Sequence, residues 1–453
     1  MSSITTNYGK IVGLILSLGG LLILLLAWAG ISLGPVFLWL TIGGLLSGMI
    51  LYGASAYAGE PVGIKNNGVW FDSLSNRGVL AVIAGIVLTG FYVQLYWFPQ
   101  SIGLGADGGA NTGLVALFDP LSMFFKGQPA SQWFVYGTLY TLSIIGLGIK
   151  FIYKYRHNRY QVIRTISVII AQLFLAYLIP EILEGFTDPG HYFAKDIKNV
   201  WPLNYYFFNG WHIDNMVEHG GNLGMFFFVF GLILFLIITP IVTYYVGKRW
   251  YCSWVCGCGG LAETAGDSFR QLSSKSVSSW KLERWMIHSV MVLVFIMTAV
   301  TLYGYFAGTG SFFGLDIYTY FQKPYGFLIG SMFSGVIGVG FYPMLGNRVW
   351  CRFGCPMAGY MGIIQRFKSR FRITTNGGQC ISCGNCSTYC EQGIDVRWYA
   401  QRGQNIVRSS CVGCGVCSAV CPRGVLKLEN GPEEGRINEN PIIIGNDGIS
   451  IKN

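Results

Sequence analysis

CISCGNCSTYC at residues 380–390 and CVGCGVCSAVCP at residues 411–422 write one pattern twice: Cys380-x2-Cys383-x2-Cys386-x3-Cys390, then Cys411-x2-Cys414-x2-Cys417-x3-Cys421-Pro422. Three thiolates in so short a run can wrap one face of an iron–sulfur cube, but the same segment cannot turn back to the fourth iron. The last cysteine of each run therefore serves the other cube. The spacing predicts one [4Fe–4S] cluster on Cys380, Cys383, Cys386 and Cys421, and a second on Cys390, Cys411, Cys414 and Cys417. A zinc ribbon takes four ligands in two pairs and leaves the other cysteines unexplained. The repeats differ at one place, Glu391 standing where the second has Pro422.

Upstream of about residue 366 the composition changes. Of 453 residues, 52% are hydrophobic and 11% charged, against about a quarter charged in a soluble domain. Apolar runs near 11–33, 35–57, 79–98, 133–151, 164–183, 223–246, 285–306 and 325–344 approach the roughly 20 residues a membrane-crossing helix needs. The first exceeds the apolar region of a signal peptide and meets the second at once, so it reads as a retained helix. The fold class expected is a membrane all-α bundle of about eight helices over residues 1–365, with a C-terminal α+β two-cluster ferredoxin-like module over 366–430 and a tail over 431–453. The bundle shows no internal repeat at this level.

The formal net charge of +10 does not point to nucleic acid, because membrane proteins gather Lys and Arg in cytoplasmic loops for topological reasons. Lys154, Arg156, Arg159 and Arg164 fall in one loop, and Lys248, Arg249, Arg270, Lys275, Lys281 and Arg284 in another on the same side. The opposite side holds Lys126, Lys195, Lys198 and Lys323. This division predicts a multi-pass protein of the cytoplasmic (inner) membrane with both termini and the cysteine module in the cytoplasm, where disulfides are disfavoured. The two long outer loops, 99–132 and 184–222, are expected to fold over the outer face. Their aromatics, with Trp97, Trp133, Trp201, Tyr205, Tyr206 and Trp211 prominent, are expected to form an interfacial belt.

The other five of the thirteen cysteines follow two spans on the inner side: Cys252-x3-Cys256-Gly257-Cys258 (252–258) and Cys351-x3-Cys355-Pro356 (351–356). On a helix, a C-x3-C spacing puts both sulfurs on one face. Two such pairs can converge on one metal or redox site of Cys252, Cys256, Cys351 and Cys355, with Cys258 as a substitute ligand. Basic neighbours (Lys248, Arg249, Arg348, Arg352) suit thiolates or an anionic cluster. The alternatives are a dithiol pair, a Cu(I) contact or plain packing.

In the order WYCSWVCGCGG, WCRFGCPMAGY, CISCGNCSTYC and CVGCGVCSAVCP, the chain resembles the NapH/NosR/CcoG family of polytopic membrane iron–sulfur proteins over about Lys248 to Leu428. The first motif departs from the family pattern, with Gly257 and Cys258 in place of proline. The resemblance implies an electron-transfer protein of a respiratory or reductase system. It would pass electrons through two [4Fe–4S] clusters between a cytoplasmic or quinone-pool donor or acceptor and a membrane or periplasmic redox partner. The family also includes cupric reductases that serve metalloenzyme assembly, and this is the second reading. No site for covalent flavin and no long β-rich tail extension is seen.

No C-x-x-C-H occurs, so c-type haem is not expected. Of the five histidines, His157 and His288 lie near the inner face and His191, His212 and His219 in the outer loop, the only group that offers pairs for a haem or metal. Glu181 and Glu184, near the outer end of the fifth span and followed by Asp188 and His191, are candidate proton acceptors for a quinol. An ion-coupled transporter ranks last, since the spans lack the buried charges such a path requires. Membrane lipid and a redox protein partner or multisubunit complex are the expected partners.

Overall fold

The computed structural model describes residues 3–58, 76–106, 109–186, 197–376, 379–430, 442–445 and 448–451. Its main helices are α1 (Ser3–Trp28), α2 (Pro35–Tyr57), α3 (Val79–Trp97), α4 (Gly113–Lys126), α5 (Gln132–Lys154), α6 (Arg159–Gly185), α7 (Gly221–Val246), α8 (Gly257–Thr264), α9 (Val277–Ala307), α10 (Gly326–Ile337) and α11 (Pro356–Phe367). Seven of them, α1–α3, α5–α7 and α9, are long and apolar enough to cross a membrane. Their starts are marked in the sequence. Pro35 opens α2, and Ser131, Asn158 and Ser276 accept from the backbone N–H three residues on to cap α5, α6 and α9. Large apolar side chains such as Ile15, Leu22, Ile86 and Leu236 stay exposed, as on helices that face lipid.

Two expectations change. The predicted span 325–344 falls on helical turns that run from Tyr318 to Ile337 and then break before a short helix at Tyr342–Leu345, and it is not among the seven. A Cβ at Gly338 would run into the Ser334 carbonyl and one at Gly340 into that of Val336, so the chain bends on glycines there. Earlier glycines let α10 lie close to aromatic rings, Gly330 against Tyr205 and Gly335 against Tyr92 and Tyr96.

The second change concerns the outer loops. Helix α4 does fold over the bundle, burying Leu114, Val115, Leu117 and Phe118 with Leu95 and Phe134. Residues 197–209, by contrast, enter the bundle. Val200 and Trp201 are 3% exposed, and Trp201 Nε1 donates to Thr298 Oγ1 of α9 at 3.0 Å. Trp201 is therefore core, and of the predicted belt only Trp133 and Trp211 are exposed. At that depth the side chains of Lys198, Trp201 and Asn209 find protein partners in Gln172, Thr298 and Gln322.

The C-terminal module closes on itself through an antiparallel pair, β1 (Phe371–Thr375) with β2 (Leu426–Asn430), Phe371 facing Asn430 and Thr375 facing Leu426. The pair ties the module's first and last segments together, so the two cysteine runs are looped out between fixed ends. A small hairpin, β3 (Ile442–Gly445) and β4 (Gly448–Ile451), follows.

Candidate functional site

All thirteen cysteines are free thiols among the described residues, and they gather in three places. Cys380, Cys383, Cys386 and Cys421 line one cleft of the module; Cys390, Cys411, Cys414 and Cys417 line another. As thiols, burial pushes Cys386 up to about 11, with Cys421, Cys380 and Cys383 adding to the effect. Burial likewise raises Cys417, helped by Cys414, Cys411 and Cys390. Each set takes its fourth member from the other run. The turns rely on Gly384 (φ +77°) and Gly415 (φ +74°), a left-handed conformation that glycine adopts without penalty.

The third place lies in the membrane part. Cys252, Cys256, Cys351 and Cys355 are buried in one cluster with Tyr251, Trp350, Met357 and Met361, and Cys258 packs at its edge. Burial and then Cys351, Cys252 and Cys256 push Cys355 well up. Cys256 goes down, because the neighbouring Cys258 thiol favours its thiolate against the effect of burial. Cys256 and Cys355 occupy the N-cap positions of α8 and α11, where the helix dipole favours a thiolate. Cys355 Sγ accepts from Ala358 N at 3.4 Å.

The spacing of the sulfurs bears on what they hold. Among the described residues only Glu263, Glu391 and Cys414 form a trio of such ligands within 4.8 Å of one another, so no three cysteines are that close. A tetrahedral zinc with Zn–S of about 2.3 Å needs sulfurs about 3.8 Å apart. An iron–sulfur cube spreads its thiolates over four corners and does not need sulfurs that close.

Charge fits as well. Glu263, Asp267 and Glu391 are buried with Lys150, Lys154, Arg164, Arg270 and Arg348. Asp267 Oδ2 meets Lys154 Nζ at 2.7 Å and Lys150 Nζ at 3.6 Å; Glu263 pairs with Arg164 and with Arg348 at 2.6 Å; Glu391 meets Arg270 at 2.8 Å and Arg348 at 3.0 Å. Burial opposes ionisation of Glu391, but Arg270 and Arg348 outweigh it and hold its carboxyl at about 2. In this group five cations face three carboxylates. The surplus suits thiolates, and Arg348 Nη1 also reaches Cys351 Sγ at 3.7 Å.

Besides the Glu391 ion pairs, one ligand loop seats the module on the membrane part. Four successive carbonyls of that loop each accept a hydrogen bond from a membrane-part side chain: Cys411 O from Gln365 Nε2 (2.7 Å), Val412 O from Ser253 Oγ (2.8 Å), Gly413 O from Tyr160 OH (2.8 Å) and Cys414 O from Gln161 Nε2 (2.8 Å). Val412 itself is part of the membrane cysteine cluster. The run beginning at Cys380 exposes Cys383, while Glu391, just after its last cysteine, is buried against Arg270 and Arg348.

Known proteins share these cysteine motifs. Residues 372–422 match the 4Fe-4S dicluster domain, and the 4Fe-4S binding domain matches twice, at 227–276 and 327–374. The chain carries ferredoxin-type 4Fe–4S domains. The double match also corrects the expectation of no repeat in the bundle: Gly247-x-Arg249-x2-Cys252 answers to Gly346-x-Arg348-x2-Cys351. Both glycines have positive φ, +71° and +97°, and four residues after each motif a cysteine, Cys256 or Cys355, caps the start of a helix.

Among curated proteins, the chain is 26% identical over 180 residues to the putative electron transport protein YccM of Escherichia coli (strain K12), covering 36% of this chain and 47% of YccM. It is 26% identical over 163 residues to the methylamine utilization ferredoxin-type protein MauN of Methylobacillus flagellatus, covering 35% of this chain and 54% of MauN. The chain thus spans about half the length of the curated relatives it matches. No solved structure matches.

Of the other sequence candidates, Glu181 and Glu184 both pair with Lys126 Nζ, at 3.1 and 3.5 Å. Asp188 and His191 lie outside the described residues. His212 is buried among the rings of Tyr206, Phe207 and Trp211, and His288 Nδ1 contacts the Arg284 carbonyl. Neither belongs to a ligand trio among the described residues.

Proposed function

We propose that the chain is a membrane electron carrier with two [4Fe–4S] clusters in its module, one on Cys380, Cys383, Cys386 and Cys421 and one on Cys390, Cys411, Cys414 and Cys417. A third redox site would sit at Cys252, Cys256, Cys351 and Cys355. When bound, such groups exchange single electrons with no gain or loss of protein bonds. The chain's own residues support an order for them. The observation that carries the reading is the row of four hydrogen bonds from Gln365, Ser253, Tyr160 and Gln161 to carbonyls 411–414. That row supports a reading in which the Cys411 loop is the inner neighbour of the membrane thiols and the stretch around exposed Cys383 meets a soluble partner.

The buried cations serve two ends: they hold the module in place and they stabilise the anionic form of each site. The basic loops favour a cytoplasmic location for the module. The curated names of the two relatives, electron transport protein and ferredoxin-type protein, support the same reading. A cupric reductase is the second reading, carried by Cys258, a fifth soft thiol beside the four.

Iron and acid-labile sulfide in the purified full-length protein test the proposal. About 12 irons per chain support three clusters and about 8 support two; fewer than about 4 would sink it. Stopped-flow oxidation of the reduced protein by Cu(II) separates the second reading, which needs copper turnover that disappears in Cys258→Ser.

A further inference from the structure

The two cysteine runs of the module end in the same turn. Gly393 N donates to Cys390 O at 3.1 Å and Gly424 N to Cys421 O at 3.2 Å, and both glycines take a positive φ, +65° and +60°. Between cysteine and glycine the first turn holds Glu391 and Gln392, the second Pro422 and Arg423. Arg423 is exposed, whereas Gln392 is only 2% exposed. Each lines a cysteine cleft: Arg423 that of Cys380, Cys383, Cys386 and Cys421, Gln392 that of Cys390, Cys411, Cys414 and Cys417.

The burial of Gln392 needs a reason. Among the described residues neither its Nε2 nor its Oε1 has a hydrogen-bond partner. A buried amide left unpaired costs about 1–3 kcal/mol, and leucine or methionine would fill the same space without that cost. The turn is held on both sides. Glu391 is fixed by Arg270 at 2.8 Å and Arg348 at 3.0 Å, and a Cβ at Gly393 would run into the Arg352 guanidinium and the Ser274 carbonyl. Backbone amides of the same stretch already serve the cysteine: Ile394 N donates to Cys390 Sγ at 3.4 Å, and the backbone of Gln392 hydrogen-bonds that sulfur as well. Besides Gln392 and Glu391, the side chains that line this cleft are apolar or are the four thiols.

We infer that the Gln392 side-chain amide donates a hydrogen bond to a sulfur of the cluster assigned to Cys390, Cys411, Cys414 and Cys417, and that it raises the reduction potential of that cluster. The inference rests on the reading of this cleft as a [4Fe–4S] site. An iron–sulfur cube presents sulfurs that accept and has no donor of its own, so Nε2 is the end of the amide that it satisfies. Reduction adds one electron and one negative charge to the cube. A donor bonds the more negative form more strongly, and the reduced state gains most. Arg423 stands at the matching place of the other cleft, but water screens its charge. The amide therefore favours the electron on the inner cluster, beside the membrane thiols.

Redox titration of the purified full-length protein, followed by paramagnetic resonance, tests this in Gln392→Leu and Gln392→Met, two apolar shapes of similar volume. The inner cluster is identified as the one whose signal persists in Cys421→Ser, and iron is counted in every protein. With iron content unchanged, the midpoint potential of the inner cluster should fall in both variants while that of the outer cluster stays. The expected fall is a tenfold shift of the one-electron equilibrium, about 59 mV. An unchanged inner potential in an iron-replete variant overturns the inference, as does an equal fall at both clusters. Loss of the inner cluster from both variants would make Gln392 a packing residue and overturn it too. Full iron with an unchanged potential removes only this hydrogen bond, whereas a wild-type protein with fewer than about 4 irons removes the clusters of the proposed function and the bond with them.

Discussion

Arg348 Nη2 lies 3.0 Å from Glu391 Oε1, joining the second membrane cysteine motif to the residue that follows Cys390. Glu391 also holds Arg270 at 2.8 Å, and all three side chains are fully buried. Glu391 is the place where the first cysteine run lacks the proline of the second, so its substitution has a positive role: it docks the module.

Glu391→Gln is therefore expected to destabilise the seating of the module rather than its clusters. Removing one partner of a buried ion pair costs about 3–5 kcal/mol, because the remaining charge stays buried. Limited proteolysis of the full-length protein should cut near residues 367–370 faster in the variant, with iron content near that of the wild type. Equal cleavage rates would show that the carbonyl contacts of residues 411–414 suffice without the ion pairs.

Cys421→Ser should disturb the cluster assigned to Cys380, Cys383 and Cys386, although it lies in the other run. The cleft that contains those four residues is the reason. Paramagnetic resonance of the reduced protein reads the outcome: the signal of one cluster changes and that of the Cys411 set stays. The opposite pattern refutes the pairing.

The cysteine runs were legible because their spacing is local, and three thiolates within seven residues leave few alternatives. The seating of the module was not. Gln161, Ser253, Tyr160 and Gln365 are ordinary polar residues in three distant segments, and nothing in their neighbourhoods announces that they will meet consecutive carbonyls. The repeat in the bundle did leave a trace, Gly-x-Arg-x2-Cys before both motifs, but an apolar helix on either side of so short a pattern hides it. Hydropathy alone placed residues 197–209 outside, since a loop with Lys198, Asn199 and Asn204 reads as solvated; only the fold supplies Gln172, Tyr251 and Thr298 as partners. The bounds of the eighth span shifted for a related reason, because hydropathy does not register the glycines after Ile337, where the helical turns that begin at Tyr318 stop.

His212 gives the outer segment a pH dependence. Burial pushes its imidazole down to about 4, so the folded chain keeps it neutral while the unfolded chain takes up a proton near pH 6.5. The stability this provides is complete above about pH 7 and is lost as pH falls through 6.5 toward 4, by about 2 kcal/mol between pH 8 and 5. Unfolding temperatures of the wild type and His212→Gln, measured across that range in one detergent, should converge as the pH drops. Parallel curves would mean that another group carries the dependence.

Cys355→Ser addresses the membrane thiols themselves. Cys355 caps α11 and shares its packed cluster with Cys252, Cys256 and Cys351, while Cys258 lines a cavity of about 420 Å³. If the four inner thiols hold a redox group, serine at 355 removes a ligand from the buried set, while Cys258 stands at its edge. The module's own cysteines are untouched, and Ala358 N keeps an acceptor for its cap. The variant should therefore retain about 8 irons per chain, against about 12 in the wild type, with the two module signals intact in paramagnetic resonance. Cys258→Ser should keep the full iron content. A Cys355→Ser protein with the wild-type iron count makes the membrane cysteines structural, and loss of iron in Cys258→Ser instead makes the fifth thiol a ligand in place of one of the four.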